Sequence, residues 1–410
     1  MMKSKINMTN RNLRSLVLSY LVICGGAFFS LNLSAASSLK VFQSKLESLD
    51  AFWEDKVQVG RIAGVEYLLA DESKILRHEA IGFRDLENKE KLELNSIFRL
   101  YSTTKPITKA AVLILADQGQ LALEDPVYKF IPEFKDIRVL NSDGSKKTIP
   151  LKRDVTVFDL LVYLGGTGYI EEYWEEAKVT EAKTLKERVE RINSYPLQNQ
   201  PGEAFLYGVQ SDVLAYIVEV VAGRPFNEFL EDRLFTPLEM HDTGYLVPSS
   251  KRERHVPRYR FNREEKRVEL RDGVDDSIHV KPITCFRGST DLVSTVSDYM
   301  NFARMLLNDG VHKNTRVLSE KAVDLLTSNH LPDHLIGSHR SIRENGWGMG
   351  GAVVVDDKHA FPKDTYFKSG GDNKMIWVDK RNKLIGVILY HTNGQYYLIN
   401  RFVREIYQEE

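Results

Sequence analysis

Sequence patterns typical of β-strands lie near both ends of the chain, and this placement limits the possible fold more than any other feature. Residues 64–70 and 75–82 are predicted strands, and the polar turn 71–74 joins them into a hairpin. Four further strands are predicted in the C-terminal part, at 350–355, 365–368, 375–378 and 384–390. We therefore expect an α/β (α+β) fold: one antiparallel sheet built from both chain ends and flanked by helices, with a mostly helical region inserted.

Helical spacing of apolar residues dominates the middle of the chain. A helix is predicted from Pro106, where apolar side chains share one face, with Gly119 as its stop. A second helix is predicted over 212–222, ending at Gly223. Other predicted helices or helix starts are 39–56, the capping box Thr156–Asp159, Ser297-Asp298, Ser319-Glu320 and 398–407. The α/β part is thus expected over about 39–102 and 281–410, and the helical region over about 103–280.

The first 36 residues have the pattern of a secretory signal peptide. Basic residues up to Arg14 precede an apolar stretch over 16–33, and the small residues Ser34-Ala35-Ala36 follow. We expect cleavage near Ala36, which leaves one domain over 37–410, exported to the periplasm and not inserted in the membrane. Two alternatives stay open. One is an uncleaved anchor, because the apolar stretch is close to spanning length; the other is lipidation at Cys24, which the bulky Ile23 disfavours.

Charge and composition narrow the class of partner. The formal net charge is −1, with 42% hydrophobic and 28% charged residues, as in ordinary globular proteins. No global field attracts nucleic acid or an anionic membrane. The basic segment 249–272 contains interleaved glutamates, which favours a solvated loop or hairpin over a nucleic-acid site. We expect a small molecule or a neutral polymer as partner, and the sequence leaves the oligomeric state open.

The cysteines and histidines predict neither a disulfide nor a metal site. Cys24 lies in the predicted signal peptide, so Cys285 would be the single cysteine of the mature chain and is expected to be a small buried hydrophobic side chain. His330, His334 and His339 are not at zinc-ligand spacing on one element and are expected at the surface. No phosphate-binding glycine loop or dinucleotide fingerprint occurs, so no cofactor is expected.

Ser102-Thr103-Thr104-Lys105 is the first candidate for chemistry. Ser-x-x-Lys at the start of a helix places both side chains on one face, one turn apart. A serine hydroxyl needs a base within hydrogen-bond reach, and a lysine serves if burial lowers its pKa. The alternative is a helix-capping serine. A second Ser-x-x-Lys, Ser37 to Lys40, lies at the predicted signal junction; what favours Ser102 is the short predicted strand 97–100 before it and the apolar helix after it.

Two further segments contain candidate residues. Tyr207 precedes the helix 212–222, and a tyrosine near a lysine can share or relay a proton; the alternative is aromatic packing under that helix. Lys368-Ser369-Gly370-Gly371 ends a predicted strand. There a lysine and a hydroxyl can hold a substrate carboxylate or carbonyl, and glycines allow close backbone approach; the alternative is a plain strand end with a turn.

Together, in this order, these segments resemble the serine β-lactamase and penicillin-binding superfamily, and most closely its branch of class C β-lactamases, D-stereospecific peptidases and family VIII carboxylesterases. The resemblance extends over nearly the whole mature chain. Other matching segments are Gly82-Phe83-Arg84-Asp85-Leu86, Asp117-Gln118-Gly119-Gln120-Leu121, Leu123-Glu124-Asp125-Pro126-Val127, Pro237-Leu238-Glu239-Met240 and Asp291-Leu292-Val293-Ser294-Thr295. The resemblance implies a β-lactamase/transpeptidase-like fold.

The resemblance also implies roles for individual residues. Ser102 would be acylated, and Lys105 and Tyr207 would share the base and acid roles. Lys368-Ser369-Gly370 would be the Lys-Thr/Ser-Gly strand motif, although a register on Ser369-Gly370-Gly371 stays open. The oxyanion hole would be the backbone N–H groups of Ser102 and Gly371.

Three features depart from the family pattern, and the first of them disfavours β-lactam and peptide substrates. Val209 stands where the family has the asparagine that holds the amide of β-lactam and peptide substrates. Tyr163-Leu164-Gly165-Gly166-Thr167-Gly168 replaces a usual histidine before a Ser/Thr-Gly turn, and we expect a structural role there. Gly208 leaves room beside Tyr207.

The resemblance predicts a serine hydrolase that acts through an acyl-enzyme on ester or amide bonds, with a carboxylesterase favoured. The alternative within this chemistry is a D-amino-acid peptidase or weak β-lactamase that acts on cell-wall-type substrates. An alternative of another class is a non-catalytic binding protein that kept the fold. The expected partner is thus a small-molecule ester, amide or peptide.

Overall fold

The computed structural model describes residues 45–143, 147–169 and 171–407. The predicted signal peptide 1–36, with Cys24, and the Ser-x-x-Lys match at Ser37 lie outside the described residues. The chain divides into two units, Met1–Phe52 and Trp53–Glu410. The described part of the first unit is the beginning of helix α1 (45–58), and every other element belongs to the second.

The described residues contain strands near both ends of the second unit. In chain order they are β1 (Gly64–Ala70), β2 (Ile75–Asp85), β3 (Glu90–Lys91), β4 (Phe98–Arg99), β5 (Val139–Leu140), β6 (Thr148–Ile149), β7 (Arg258–Asn262), β8 (Arg267–Asp272), β9 (Val293–Ser294), β10 (Val311–His312), β11 (Thr315–Arg316), β12 (Gly346–Trp347), β13 (Ala352–Val353), β14 (Tyr366–Gly370), β15 (Lys374–Asp379), β16 (Leu384–Tyr390) and β17 (Thr392–Asn393).

The main sheet joins strands from both ends of the chain, which confirms the predicted architecture. Eight described strands pair antiparallel in the order β12-β13-β14-β15-β16-β1-β2-β3. Strand β1 lies between β2 and β16, with Val65 opposite Tyr390 and Ala70 opposite Ile385. Every residue of β1 is buried, as expected for a central strand with covered faces.

The described helices lie mostly between the two groups of strands. After α1 they are α2 (Thr104–Asp117), α3 (Val157–Leu161), α4 (Glu171–Glu176), α5 (Leu185–Asn193), α6 (Gln210–Ala222), α7 (Phe226–Leu230), α8 (Val296–Leu307), α9 (Glu320–Thr327) and α10 (Tyr397–Tyr407). The predicted capping box is present, with the Thr156 hydroxyl and the Asp159 carboxylate each accepting a backbone N–H at the start of α3. Gly223 ends α6 at φ +65°, a conformation that glycine adopts without strain.

Two details of the helical region differ from the sequence-based expectation. Helix α8 begins at Val296, one residue before the predicted Ser297, because the Thr295 side chain accepts the backbone N–H of Asp298 and serves as the N-cap. The basic segment 249–272 contains the antiparallel hairpin β7–β8, so the region is not helical throughout. Cross-strand ion pairs such as Arg260 with Glu269 stabilise this hairpin, in agreement with the solvated-hairpin interpretation.

The C-terminal strands differ from their predicted limits in a way that shapes the site. The strand predicted over 350–355 is reduced to β13, because Gly350 has φ +91° and interrupts the extended backbone. The strand predicted over 365–368 continues as β14 to Gly370, since Ser369 and Gly370 pair with Met375 and Lys374 of β15. The glycine-containing motif therefore lies in the strand.

Three smaller expectations have mixed outcomes. Cys285 is partly buried, not fully, and burial raises its thiol pKa to about 11, so the thiol is protonated at neutral pH. His334 is exposed as expected, whereas His330 and His339 are half-buried. The His330 ring packs on Phe158, and the His339 ring packs on Phe205.

Within the described ranges, no helix has the length and apolarity needed to cross a membrane.

Candidate active site

Ser102 lies in a tight turn between the short strand β4 and helix α2. The turn is a 3-10 helix over Tyr101–Thr103, and Tyr101 directly before Ser102 has φ +50°, a strained conformation for a bulky residue. The Tyr101 hydroxyl donates to Asp372 at 2.7 Å, and Arg258 Nε donates to the same carboxylate at 2.7 Å. This buried anchor holds the backbone that presents Ser102.

Lys105 is one helical turn after Ser102 and contacts it. Its side chain is 1% exposed, and its Nζ lies 3.3 Å from Ser102 Oγ and 2.6 Å from the carbonyl oxygen of Ser289. Burial lowers the pKa of Lys105 to about 8, although the charges of Asp212 and Asp291 act in the opposite direction. A useful fraction of this amine is therefore neutral near pH 7, as a base for the hydroxyl requires.

Asp212 of α6 fixes the carbonyl group that Lys105 uses. One oxygen of this carboxylate accepts the backbone N–H of Ser289 at 2.8 Å, and the other accepts Arg188 Nε at 2.8 Å. Burial raises the pKa of Asp212, but Arg188 and the Ser289 N–H outweigh it, and the net pKa lies below the usual value. A buried, ionised Arg188–Asp212 pair thus orients the Ser289 peptide toward Lys105.

Tyr207 lies between two lysine side chains. The centre of its ring is 4.9 Å from Lys105 Nζ and 5.0 Å from Lys368 Nζ. Lys368 is 5% exposed; burial lowers its pKa, and the charge of Tyr207 and a hydrogen bond to it partly oppose that shift. Tyr207 is therefore in contact with the amines of both lysines of the site.

The Lys368-Ser369-Gly370 segment of β14 packs on the turn that contains Ser102. A Cβ atom at Gly370 would lie 2.8 Å from the Leu100 carbonyl oxygen, and one at Gly371 would lie 3.1 Å from Tyr101 Cγ. Only glycine permits this close approach. Lys368 lies over Tyr207, whereas Ser369 makes a side-chain hydrogen bond with Tyr396, consistent with the alternation of side chains along a strand.

These residues open onto one cleft. Ser102, Tyr207, Lys368, Ser369 and Gly370 all line it, and its volume is about 300 Å³. The structure therefore brings together the residues predicted from the sequence, with Lys105 buried behind Ser102 and Gly371 beside Tyr101.

A second layer behind Tyr207 was not predicted. Tyr163 is fully buried at φ +63°, its ring is 5.2 Å from that of Tyr207, and its hydroxyl bonds Ser211 at 2.8 Å. Lys109 Nζ lies 4.6 Å from the Tyr163 ring and donates to the Leu160 carbonyl at 3.0 Å. The sequence signal for Lys109 was its spacing of four residues from Lys105, which places both lysines on one helix face.

The departures from the family pattern have structural explanations. Val209 is 1% exposed and packs with Val179 and Ile192 in an apolar cluster, so this side chain supports the core. Gly208 allows the backbone to pass close to residue 168, since a Cβ there would lie 2.8 Å from Gly168 Cα.

Within the part of the chain that the structure describes, no group of three or more histidine, cysteine or acidic side chains could hold a metal ion.

A serine one helical turn from a buried lysine, beside a Lys-Ser-Gly strand of an antiparallel sheet, defines a serine hydrolase of the β-lactamase and penicillin-binding superfamily. The Beta-lactamase family model matches residues 49–407, and the chain belongs to this family.

Relatives and solved structures agree with this assignment. Esterase EstB of Burkholderia gladioli is 32% identical over 337 residues, which cover 76% of this chain and 80% of EstB. Lovastatin esterase of Penicillium rubens is 26% identical over 382 residues, 83% of this chain and 91% of that enzyme. Among solved structures, EstCE1 is described as a hydrolase with promiscuous acyltransferase activity. It superposes with a TM-score of 0.76 at 20% identity, and the match covers 90% of this chain and 100% of EstCE1. This likeness supports the fold.

Proposed function

We propose that this carboxylesterase-like serine hydrolase uses Ser102, Lys105 and Tyr207 for two-step acyl transfer from ester substrates to water. The observation that carries the proposal is the 3.3 Å contact between Lys105 Nζ and Ser102 Oγ, made by a lysine whose pKa is lowered to about 8. A neutral amine at this distance can take the serine proton as the hydroxyl attacks.

The proposed first step forms the Ser102 Oγ–carbonyl carbon bond while the hydroxyl proton passes to Lys105. The tetrahedral intermediate then expels the alcohol, which takes a proton from Tyr207; Tyr207 recovers a proton from Lys105. In the second step water attacks the acyl-enzyme, gives a proton to the same pair, and Ser102 leaves as a hydroxyl.

The backbone N–H groups of Ser102 and Gly371 are proposed as the oxyanion hole. The support is the packing of the Gly370-Gly371 segment on Leu100 and Tyr101, which brings β14 and the Ser102 turn together. We favour the Lys368-Ser369-Gly370 register, because Lys368 Nζ contacts the Tyr207 ring at 5.0 Å.

Ester substrates are favoured over β-lactams and peptides for two reasons. Two relatives, at 32% and 26% identity, are named esterases. The side chain at the position of the family's amide-binding asparagine, Val209, is buried in an apolar cluster, so it offers no amide contact.

The experiment is hydrolysis of p-nitrophenyl butyrate by the wild type and by Ser102→Ala, with Ser341→Ala as the control because Ser341 lines the same cleft. We expect wild-type turnover, a loss of roughly 10³-fold or more in Ser102→Ala, and little change in Ser341→Ala. Equal activity in wild type and Ser102→Ala contradicts the nucleophile. Turnover of a chromogenic cephalosporin and not of the ester supports the β-lactamase alternative, and no labelling of Ser102 by a fluorophosphonate supports a non-catalytic binder.

We also propose that the chain is exported to the periplasm through residues 1–36. The support is the order of basic residues, apolar stretch and Ser34-Ala35-Ala36. The intact mass of protein recovered from a periplasmic extract tests this: the expected N-terminus lies within two residues of Ser37, whereas an intact N-terminus in the membrane fraction supports an anchor.

A further inference from the structure

The cleft at Ser102 is lined by cationic side chains, whereas the acids Glu344 and Asp356 line an adjoining pocket that also contains Arg343. Among the described residues that line it, Arg340, Arg343 and Lys368 are cationic residue types, and none is an aspartate or glutamate. The whole chain has a net charge of −1, so this is a local feature. Charges of one sign in a cleft with low-dielectric walls concentrate ligands of the opposite sign.

The two arginines differ from most arginines around the site. Arg188, Arg258 and Arg287 are each paired with an aspartate. Arg340 and Arg343 are exposed, and within the described ranges neither has an ion pair. Their guanidinium groups are therefore free to bind a ligand.

The loop that contains both arginines is held in place by its own packing. Ile342 between them is 1% exposed, and the backbone N–H groups of Ile342 and Arg343 both donate to the His339 carbonyl at 3.1 Å. The His339 ring packs on Phe205 at 5.7 Å. Arg343 itself has φ +48°, a conformation that persists only where neighbours impose it.

The charge of Arg343 acts on Tyr396, which directly precedes α10 and lines the same cleft. Burial raises the pKa of Tyr396, while its hydrogen bond with Ser369 and the charge of Arg343 lower it. Ser369 is in β14 beside Lys368, and Ser369, Tyr396 and Arg343 all line the cleft that contains Ser102.

We propose that the substrates are esters that contain a carboxylate, with Arg340 and Arg343 as the residues that determine this specificity. The inference rests on the proposed function and assigns a substrate class to the same site. Guanidinium groups bind carboxylates through paired, charge-assisted hydrogen bonds, which a neutral ester does not make. The two arginines act on binding and leave the chemistry at Ser102 unchanged.

The test compares matched esters with and without a carboxylate. Mono-p-nitrophenyl glutarate against p-nitrophenyl butyrate places the anion on the acyl group; 4-carboxyphenyl butyrate against phenyl butyrate places it on the leaving group. The rates are corrected with Ser102→Ala. We expect kcat/KM to favour the anionic member of one pair by about tenfold, with the preference decreasing as sodium chloride is raised.

Substitution of the two arginines tests whether they cause the preference in kcat/KM for the anionic ester. Arg340→Gln/Arg343→Gln is expected to remove the preference and to leave neutral-ester kcat/KM within about twofold. Arg381→Gln, an exposed arginine between β15 and β16 outside the cleft lining, is the control and keeps the preference. A preference for neutral esters in both pairs, or a preference that survives the double substitution, overturns the inference. If Ser102→Ala hydrolyses the neutral esters as fast as wild type, the proposed function fails instead.

Discussion

Lys105 combines full burial with hydrogen bonds to Ser102 and to a backbone carbonyl, and no carboxylate touches its amine in the described residues. Its pKa is therefore set by a balance between burial, which favours the neutral amine, and the more distant charges of Asp212 and Asp291. That balance makes the proposed base titratable near pH 8.

The pH dependence of kcat/KM for a neutral ester tests this balance. Because the neutral amine is the reactive form, activity is expected to rise with pH and level off above about 8. Lys105→Arg, which stays protonated, is expected to lose roughly 10²-fold or more at pH 7, while Lys129→Arg at an exposed site does not change. A profile that is flat from pH 6 to 9 would contradict Lys105 as the base.

Asp212 is predicted to affect both stability and this profile. Asp212→Asn leaves the buried Arg188 uncompensated, so the free energy of unfolding is expected to fall by about 3 kcal/mol. Since the charge of Asp212 raises the pKa of Lys105, its removal is expected to move the rise in activity to lower pH. Urea denaturation and the pH profile measure the two effects, with Glu264→Gln in the exposed turn of the β7–β8 hairpin as the control. An unshifted profile rules out the electrostatic part.

Spacing was sufficient to place Ser102 and Lys105 together, the family resemblance added Tyr207, and neither pointed to Asp212. A spacing of one helical turn brings the first two residues together within one element. Asp212 acts through Ser289, 77 residues further along the chain, and only the folded structure shows that contact.

Among the secondary-structure elements, two segments of the site lie so close to neighbouring backbone that only glycine fits at the point of contact. The segment before α6 passes so close to residues 167–168 that a Cβ at Gly208 would lie 2.8 Å from Gly168 Cα and 3.0 Å from the Thr167 carbonyl oxygen. The strand β14 approaches the Ser102 turn in the same way at Gly370. These contacts are between backbones, so no side-chain rotation relieves them.

Gly208→Ala is expected to displace Tyr207 and to lower kcat/KM by about tenfold, with a loss of stability of about 1–3 kcal/mol from overpacking. Gly244→Ala is the matched control, because no atom lies within 4 Å of the added Cβ and its φ is not positive. Kinetics with p-nitrophenyl butyrate and thermal unfolding provide both measurements. Equal behaviour of the two variants would show that the close approach is not required.

The types of these elements were predictable, and several of their ends were not. Residues 64–70 and 384–390 are strands with the predicted limits, since their apolar residues are bounded by turn-forming ones. Strand β14 extends past its predicted end because pairing with β15 overrides the usual effect of Ser369-Gly370. Helix α8 starts at a threonine cap because its side chain, and not that of Ser297, meets the free N–H of Asp298.

At the scale of the whole second unit, residues from opposite ends of the chain complete one core. Phe402 of α10 is fully buried, with its ring centre 5.1 Å from that of Trp53 and 5.0 Å from that of Tyr67. The prediction of a sheet built from both ends is confirmed, whereas the strand order was not readable from periodicity, which specifies faces and not neighbours.

Phe402→Ala is therefore expected to lower the free energy of unfolding by about 3–5 kcal/mol. Tyr397→Ala on the same helix is the control, because Tyr397 is 48% exposed and its loss should have little effect. Urea denaturation measures both. A loss below about 1 kcal/mol in Phe402→Ala would contradict a shared core between the two ends.

Acylation of Ser102 is tested most directly by mass spectrometry of the enzyme during turnover. Protein quenched with acid while hydrolysing p-nitrophenyl butyrate is digested with trypsin. The relevant peptide covers 100–109, because trypsin cuts after Arg99 and Lys109 and does not cut between Lys105 and Pro106. We expect a butyryl group on Ser102 in this peptide and none in the same peptide of Ser102→Ala. A butyryl group on another residue, or turnover with this peptide never modified, would contradict acylation of Ser102.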